Sequence, residues 1–139
     1  MPDGLRTESF VLEPLEVRHN SADYLAWTSS IDHIRSTPGF AGRNWPDEAL
    51  TAEDNALDLA RHAEHFAERF GFTYTVLDPN TSEVIGCVYL YPPRTARYDV
   101  DVRSWVCADR PELDKLLHDT VCQWLAERWP FVAPEYAAR

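Results

Sequence analysis

Apolar residues recur three and four positions apart in three long stretches of this chain, and that spacing predicts three amphipathic helices. In the first stretch, Tyr24, Trp27, Ile31 and Ile34 form one apolar stripe, and Pro38 follows it as a residue that cannot continue a helix. The second stretch opens with Thr51, a candidate N-cap. The predicted helices span residues 20–35, 51–70 and 110–128.

Shorter stretches rich in β-branched and aromatic residues predict strands. In one of them successive residues alternate between the two faces of the strand, with Val100, Val102 and Val106 on one face and Asp101 and Trp105 on the other. The turn "PNTS" joins two others as a hairpin, because Pro and Asn favour tight turns. The predicted strands span 10–17, 72–78, 83–91 and 98–107, and "FVAPEY" near residue 136 is a candidate for one more.

These elements follow the order β-α-α-β-β-β-α-(β), which is typical of an α+β domain with a mixed, mostly antiparallel sheet flanked by helices. The 139 residues, of which 45% are hydrophobic and 26% charged, suit one soluble globular domain. We therefore predict a single domain over residues 1–139.

The charge and the apolar pattern of the chain argue against a nucleic-acid partner and against a membrane partner. A net charge of −10, with no basic cluster larger than Arg94 and Arg97, argues against a nucleic-acid partner. No run approaches the roughly 20 apolar residues of a membrane span. The start "MPDGLRTESF" lacks the basic and apolar regions of a signal peptide. We expect a cytoplasmic protein without a membrane partner.

Cysteine and histidine spacing gives no support for a metal. Cys87, Cys107 and Cys122 lie far apart without a C-x-x-C pair, so we interpret them as buried free thiols. His62 and His65 are three residues apart on the second predicted helix, a loose metal-ligand spacing, but no third ligand lies nearby. We interpret the two histidines as a solvent-facing pair.

The order of elements and three segments resemble the GNAT superfamily, the acetyl-CoA-dependent N-acyltransferases. "FTYTVLDPNTSEVIGCVYLYP" is similar to the central hairpin of that family, "DVDVRSWVCADR" to its fourth strand, and "SADYLAWTSSIDHIR" to its first acceptor-side helix. The resemblance covers about residues 10–130. It implies a GNAT-like acyl-CoA N-acyltransferase fold and acyl transfer from acetyl-CoA to a small-molecule amine.

The sequence departs from the family motif Q/R-x-x-G-x-G/A, whose glycines let the backbone approach the cofactor pyrophosphate. Here "SWVCADRPELDKLL" contains no glycine, and Arg110 is the only trace of the motif. Asp109 and Glu112 fit a D-x-x-E capping box, which would place carboxylates at the helix N-terminus. Because like charge would repel a pyrophosphate there, we predict that acetyl-CoA binds weakly or not at all.

The resemblance also implies roles for individual residues. Asp99 or Asp101 would be the general base for the amine, the alternative being a solvated strand face that pairs with Arg103. Arg43 and Trp45 would bind the acceptor by charge and stacking, unless Trp45 plugs the core. The cofactor-binding residues would be Trp105, Val106 and Cys107, whose backbone would hold the pantetheine arm, and Arg110.

Two further expectations concern activity and assembly. The rival hypothesis is a non-catalytic GNAT-like module that binds a small ligand or a protein partner; side chains filling the wedge between the last two strands would favour it. Family enzymes continue with further strands, so we expect a bare sheet edge near 98–107 or 130–136 and predict a homodimer. Trp129, Phe131 and Val132 would supply apolar surface for that contact.

Overall fold

The computed structural model of the chain describes residues 2–139 and contains one six-stranded sheet, in which the strands are neighbours in chain order. The strands are β1 (Leu5–Arg6), β2 (Val11–Pro14), β3 (Phe72–Leu77), β4 (Val84–Tyr91), β5 (Val100–Val106) and β6 (Pro134–Tyr136). The helices are α1 (Asn20–Thr28), α2 (Ile31–Arg35), α3 (Ala52–Ala67) and α4 (Leu113–Arg128), and a 3-10 turn, Val17–His19, precedes α1.

The sheet is antiparallel except at its last pair. β1 to β5 pair antiparallel in succession, whereas β5 and β6 run parallel because α4 connects them. The α+β class with a mostly antiparallel sheet is therefore confirmed, and so is the extra strand expected in "FVAPEY". β1 is a two-residue strand that the sequence pattern did not predict.

Each face of the sheet buries its own core, because successive side chains of a strand point to opposite faces. On one face α4 packs Leu117 and Trp124 against Val102 of β5. On the other face α1 and α3 bury Trp27 and Leu59 beside Trp105. The predicted alternation along β5 is confirmed. Among residues 2–139, no helix is both long and apolar enough to span a membrane.

A buried polar network fixes α3 relative to α1. The side-chain oxygen of Asn55 in α3 accepts a hydrogen bond from the Trp27 indole at 3.1 Å, and its nitrogen donates to Asn20 at 2.9 Å and to Asp23 at 3.0 Å. Breaking such a network would leave buried polar groups unpaired, which costs more than the hydrogen bonds contribute when they are made. The network therefore holds α3 over the strands that it covers.

β4 and β5 approach each other most tightly at Gly86. A Cβ at this position would collide with the carbonyl oxygen of Trp105, so only glycine fits without moving β5. Gly86 pairs with Val106 in the ladder. The close approach fixes the end of β5, whose backbone the sequence analysis assigned to a cofactor.

The first predicted helix, 20–35, is two helices in the structure. Thr28 and Ser29 donate side-chain hydrogen bonds to the carbonyls of Tyr24 and Leu25, at 2.6 and 2.8 Å, and such bonds compete with the helix ladder. Ser30 then has φ −132°, outside the helical range. Its hydroxyl accepts a hydrogen bond from the Ala108 N–H at 2.9 Å, which ties the break to the end of β5.

The predicted capping box of Asp109 and Glu112 is wrong. α4 begins at Leu113, and Glu112 is its N-cap without a side-chain capping hydrogen bond within the described part of the chain. A backbone turn provides the acceptors instead: the Leu113 N–H bonds the Arg110 carbonyl at 3.0 Å, and the Asp114 N–H bonds the Pro111 carbonyl at 3.2 Å. The cap predicted at Thr51 is confirmed, since Thr51 accepts from the Asp54 N–H at 3.1 Å.

Because Thr51 caps α3 and Asp109 does not cap α4, we expect alanine substitution to change the free energy of unfolding at the first position and not at the second. Thr51→Ala removes a formed cap and should lower the free energy of unfolding by about 1 kcal/mol. Asp109→Ala removes an exposed carboxylate and should change it by less than about 0.5 kcal/mol. Urea denaturation of both variants measures the difference; an equal loss in the two would mean that Asp109 caps α4 after all.

Candidate functional site

The parallel strands β5 and β6 pair over only three residues and then separate, which leaves a wedge beside the second half of β5. The last paired residues are Val102 and Tyr136. β5 continues to Val106, so four of its residues extend past the ladder with β6. A sheet that opens in this way exposes backbone polar groups of β5, which need partners.

Arg139 supplies a partner inside the wedge. Its guanidinium donates to the Ser104 carbonyl of β5 at 2.9 Å and to the Asp114 carboxylate of α4 at 2.6 Å. The Arg139 side chain is only 3% exposed. Because a buried charge requires a charged or hydrogen-bonding partner, Asp114 and Ser104 together hold this side chain in place.

Tyr136 closes the wedge from the side of β6. Its hydroxyl shares a hydrogen bond with the Ser104 hydroxyl, and its ring packs against His118 with the ring centroids 4.3 Å apart. Burial raises the pKa of the Tyr136 phenol well above its ordinary value, so the phenol stays neutral at physiological pH. Side chains therefore fill the wedge, the arrangement that the sequence analysis linked to a non-catalytic module.

The junction between β5 and α4 has acidic surroundings. Arg110 donates to Asp78 at 2.9 Å and lies 3.4 Å from Glu83, both near the β3–β4 turn. The hydrogen bond to Asp78 raises the pKa of the Arg110 guanidinium. A cavity of about 280 Å³ here is lined by Arg110, Glu83 and Asp109, among others. One guanidinium thus faces three carboxylates, which is unfavourable for a pyrophosphate.

The predicted cofactor-binding side chains are buried in the two cores. Trp105 is fully buried and donates from its indole to the Tyr89 hydroxyl at 3.0 Å. Val106 packs on the α4 side, and the Cys107 thiol lies 3.7 Å from the Val84 carbonyl oxygen. Burial of Trp105 and Val106 leaves only their backbone for contact with a ligand, which is the role that the sequence analysis gave them, whereas Cys107 and Arg110 line the cavity at the junction.

The structure separates the two predicted bases. Asp101 is buried on the α3 face of β5, 3.6 Å from Arg43 and 3.9 Å from the Nε of Arg103. Asp99 instead accepts hydrogen bonds from the backbone N–H groups of Val132 and Ala133, at 2.7 and 3.1 Å, and fixes the turn before β6. Asp101 and Arg43 therefore meet beside the wedge, and Asp99 lies away from them.

Trp45 packs on the core and also lines a cavity, and its role in binding an acceptor stays a prediction. Its ring contacts the rings of Trp27, Tyr89 and Trp105 at centroid distances of 5.5 to 6.3 Å, so it covers the core. The same ring lines a cavity of about 290 Å³ beside α3. The loop predicted to bind the acceptor thus places Arg43 and Trp45 on two neighbouring cavities, with Arg103 lining both.

The interpretation of His62 and His65 as a solvent-facing pair is wrong. Both imidazoles bond the Tyr91 hydroxyl through Nδ1, at 2.8 and 2.9 Å, and both line the cavity beside Trp45. Asp58 lies 3.4 Å from the Nε2 of His62, whose hydrogen bond lowers the pKa of the Asp58 carboxyl. The sequence did indicate that His62 faces the sheet, because His62 falls three residues after Leu59 on the buried stripe of α3.

His62, His65, Tyr91 and Asp58 form a polar cluster on the wall of this cavity. Within residues 2–139, no three His, Cys, Asp or Glu side chains are placed to hold one ion. The cluster instead combines a phenol, two imidazoles and a carboxylate at the wall of an aromatic cavity.

Comparison with solved structures identifies the fold. A Vibrio cholerae protein named as a ribosomal-protein-serine acetyltransferase superposes with a TM-score of 0.76 at 11% identity, over 98% of this chain and 75% of that chain. The microcin C7 self-immunity acetyltransferase, solved with acetyl-CoA and AMP, gives 0.69 at 13% identity, over 91% and 67%. The chain has the GNAT fold.

Other GNAT-fold structures agree, and the similarity is one of structure rather than sequence. The ribosomal L7/L12 alpha-N-protein acetyltransferase RimL gives a TM-score of 0.66 at 10% identity, over 88% of this chain and 63% of that chain. No protein-family model and no curated protein matches the sequence. The expectation drawn from the order of elements and three short segments is confirmed for the fold.

The acetyl-CoA of GNAT-fold enzymes does not fit the residues described here. The wedge holds two side chains of the chain itself, one of them the 3%-exposed Arg139. The junction before α4 lacks glycine and has three carboxylates around Arg110. A cofactor arriving at this site would have to displace an ion pair and approach like charge.

The cysteines give a prediction for this site, because Cys107 ends the strand that borders the wedge. Burial raises the pKa of Cys87, and it raises the pKa of Cys107 to about 11, so neither forms much thiolate near pH 8. Cys122 is exposed. Ellman titration of the native protein should therefore detect one fast thiol, which Cys122→Ser removes. Fast reaction of Cys107 in that variant would indicate an open thiol at the wedge.

Proposed function

We propose that this protein is an acetyltransferase-like module of GNAT fold whose acetyl-CoA site is closed by its own Tyr136 and Arg139 side chains, and that it binds a small ligand instead. The observation that supports this most strongly is the Arg139 guanidinium between Ser104 and Asp114. It occupies the place where the two parallel strands separate, and it already satisfies the backbone acceptor there.

Acyl transfer from acetyl-CoA to an amine is the second candidate function. One observation favours it: the Asp101 carboxylate lies on β5 at the last part of the ladder, next to the point where β6 departs. A carboxylate so close to the opening of the wedge is in a suitable position to accept a proton from an amine. Its position beside Arg43 and Arg103, at 3.6 and 3.9 Å, opposes that role, because both guanidiniums compete with an amine for the carboxylate oxygens.

Isothermal titration with acetyl-CoA at physiological salt distinguishes the two functions. For the unmodified protein we predict a dissociation constant above roughly 100 µM. Arg139→Ala opens the wedge, but the acidic junction before α4 remains, so the proposed module should still bind no more tightly than this limit. Arg128→Ala, the same substitution at an exposed position of α4, is the matched control.

Two outcomes would contradict the proposal. A low-micromolar constant for the unmodified protein would mean that the cofactor displaces Arg139 readily. A gain of about tenfold or more in Arg139→Ala but not in Arg128→Ala, together with acetylation of an amine, would establish the second function. The melting temperature of each variant shows whether it is folded.

We also propose that the protein is a homodimer, with β6 as the contact edge. β6 is a three-residue strand at the edge of the sheet, and the nearby Val132 side chain is 90% exposed. Trp129 and Phe131 contribute less than expected, because Trp129 is buried and stacks on Phe131 within the subunit. Light scattering should give twice the 16.0 kDa chain mass. A single-chain mass that persists after tenfold concentration would refute the dimer.

A further inference from the structure

Arg103 is a mostly buried cation with an unsatisfied donor. Its side chain is 20% exposed and its guanidinium lies over the rings of Phe40 and Tyr89, at 5.5 and 5.3 Å from their centroids. The Nε–H is buried and has no hydrogen-bond partner among residues 2–139. The Asp101 carboxylate, 3.9 Å away, is beyond hydrogen-bond distance. A ligand cannot reach the buried Nε–H, but the Arg103 side chain also lines two cavities, where an acceptor would add a hydrogen bond to this poorly paired charge.

Positive charge collects around Arg103 although the chain has a net charge of −10. Arg43, Arg94 and Arg103 line one cavity of about 360 Å³, against the carboxylates of Asp101 and Glu135. Burial, and then the charge of Arg103, lower the pKa of the Arg43 guanidinium, which indicates that its positive charge is incompletely compensated. An anion at Arg103 would complete the charge balance.

The second cavity that Arg103 lines has flat aromatic walls and a polar far end. Trp45 and Tyr89 form the walls, and Tyr91 with His62 forms the far end of this cavity of about 290 Å³. Asp58 and Arg61 also line it and form an ion pair at 2.8 Å, so the Arg103 charge is not cancelled by the Asp58 carboxylate. Tyr89 lies directly opposite Arg103 in the β4–β5 ladder, and Tyr91 is two residues further along β4. Two residues of a strand span about 7 Å, roughly the length of a benzene ring with a substituent at each end.

We infer that this cavity binds a planar aromatic carboxylate that carries a second polar group at the opposite end of its ring. The carboxylate accepts hydrogen bonds from the Arg103 guanidinium, whose planar fork suits a bidentate contact. The ring packs in the corner that the Trp45 and Tyr89 rings form, face-on to one and edge-on to the other, because these two rings are inclined at 70° with their centroids 6.3 Å apart. The far polar group reaches the Tyr91 hydroxyl and the His62 imidazole. This deepens the proposed ligand-binding function and rests on it.

The test on the unmodified protein compares 4-hydroxybenzoate with its neutral analogue, 4-hydroxybenzamide, by isothermal titration. A ligand of about ten non-hydrogen atoms should bind in the millimolar range or tighter. The amide should bind on the order of 10-fold more weakly or worse, since it lacks the charge-assisted hydrogen bonds to Arg103. Equal binding of the two compounds, or no binding of either, would overturn the inference without any variant.

Variants then assign the two ends of the cavity. Arg103→Gln should weaken 4-hydroxybenzoate about 10-fold or more, whereas Arg18→Gln, the same change at an exposed position that lines neither cavity, should not. Tyr91→Phe should weaken 4-hydroxybenzoate but leave benzoate unchanged, because only the former has a group that reaches Tyr91. Equal losses in Arg103→Gln and Arg18→Gln would show that the effect is one of net charge and would contradict the site.

A failure of this inference can be distinguished from a failure of the proposed function. If 4-hydroxybenzoate fails to bind while acetyl-CoA also binds no more tightly than roughly 100 µM, this inference is wrong and the closed module stands. If acetyl-CoA binds tightly, the proposed function is wrong, and the carboxylate selectivity still decides whether Arg103 forms an anion site.

Discussion

The ion pair between Arg139 and Asp114 is the contact on which the functional interpretation of this fold depends. It lies where a parallel strand pair opens, and it brings together the last residue of the chain, the first turn of α4 and the Ser104 carbonyl of β5. Removal of either partner of a buried ion pair leaves an uncompensated charge, which is strongly unfavourable, so neither side chain leaves the wedge easily by itself. The wedge is therefore closed by a specific interaction rather than by loose packing.

Closure of the wedge on the α4 side leaves the accessible polar surface on the opposite, α3 face of the sheet. That surface runs from Asp101 and Arg103 on β5, across Tyr89 and Tyr91 on β4, to His62 on α3. The Trp27–Asn55 hydrogen bond holds α3 in place above it. Asp58, Asp101 and Glu135 line the cavities of this surface, but Arg43, Arg61, Arg94 and Arg103 outnumber them, so the surface combines aromatic rings with a small excess of positive charge.

Hydrophobic periodicity was sufficient to predict the strands, the helices and the fold class, because these depend on residues that are close in sequence. The break at Ser29 and Ser30 was missed, since apolar spacing continues across it while hydroxyl groups take helix carbonyls. Arg139 was missed because its partner Ser104 lies 35 residues away, and no local pattern records such a pairing. His62 could have been predicted to face the sheet from its spacing to Leu59.

The most direct test of the closed wedge is the hydrogen exchange of the Arg139 Nε–H, followed by nitrogen-15 NMR. A side chain held between Asp114 and Ser104 should give a resolved signal that exchanges far more slowly than that of the exposed Arg128, and Asp114→Ala should abolish its protection. An Arg139 signal that exchanges as fast as the Arg128 signal in the unmodified protein would contradict the account, because the wedge would then be open in solution.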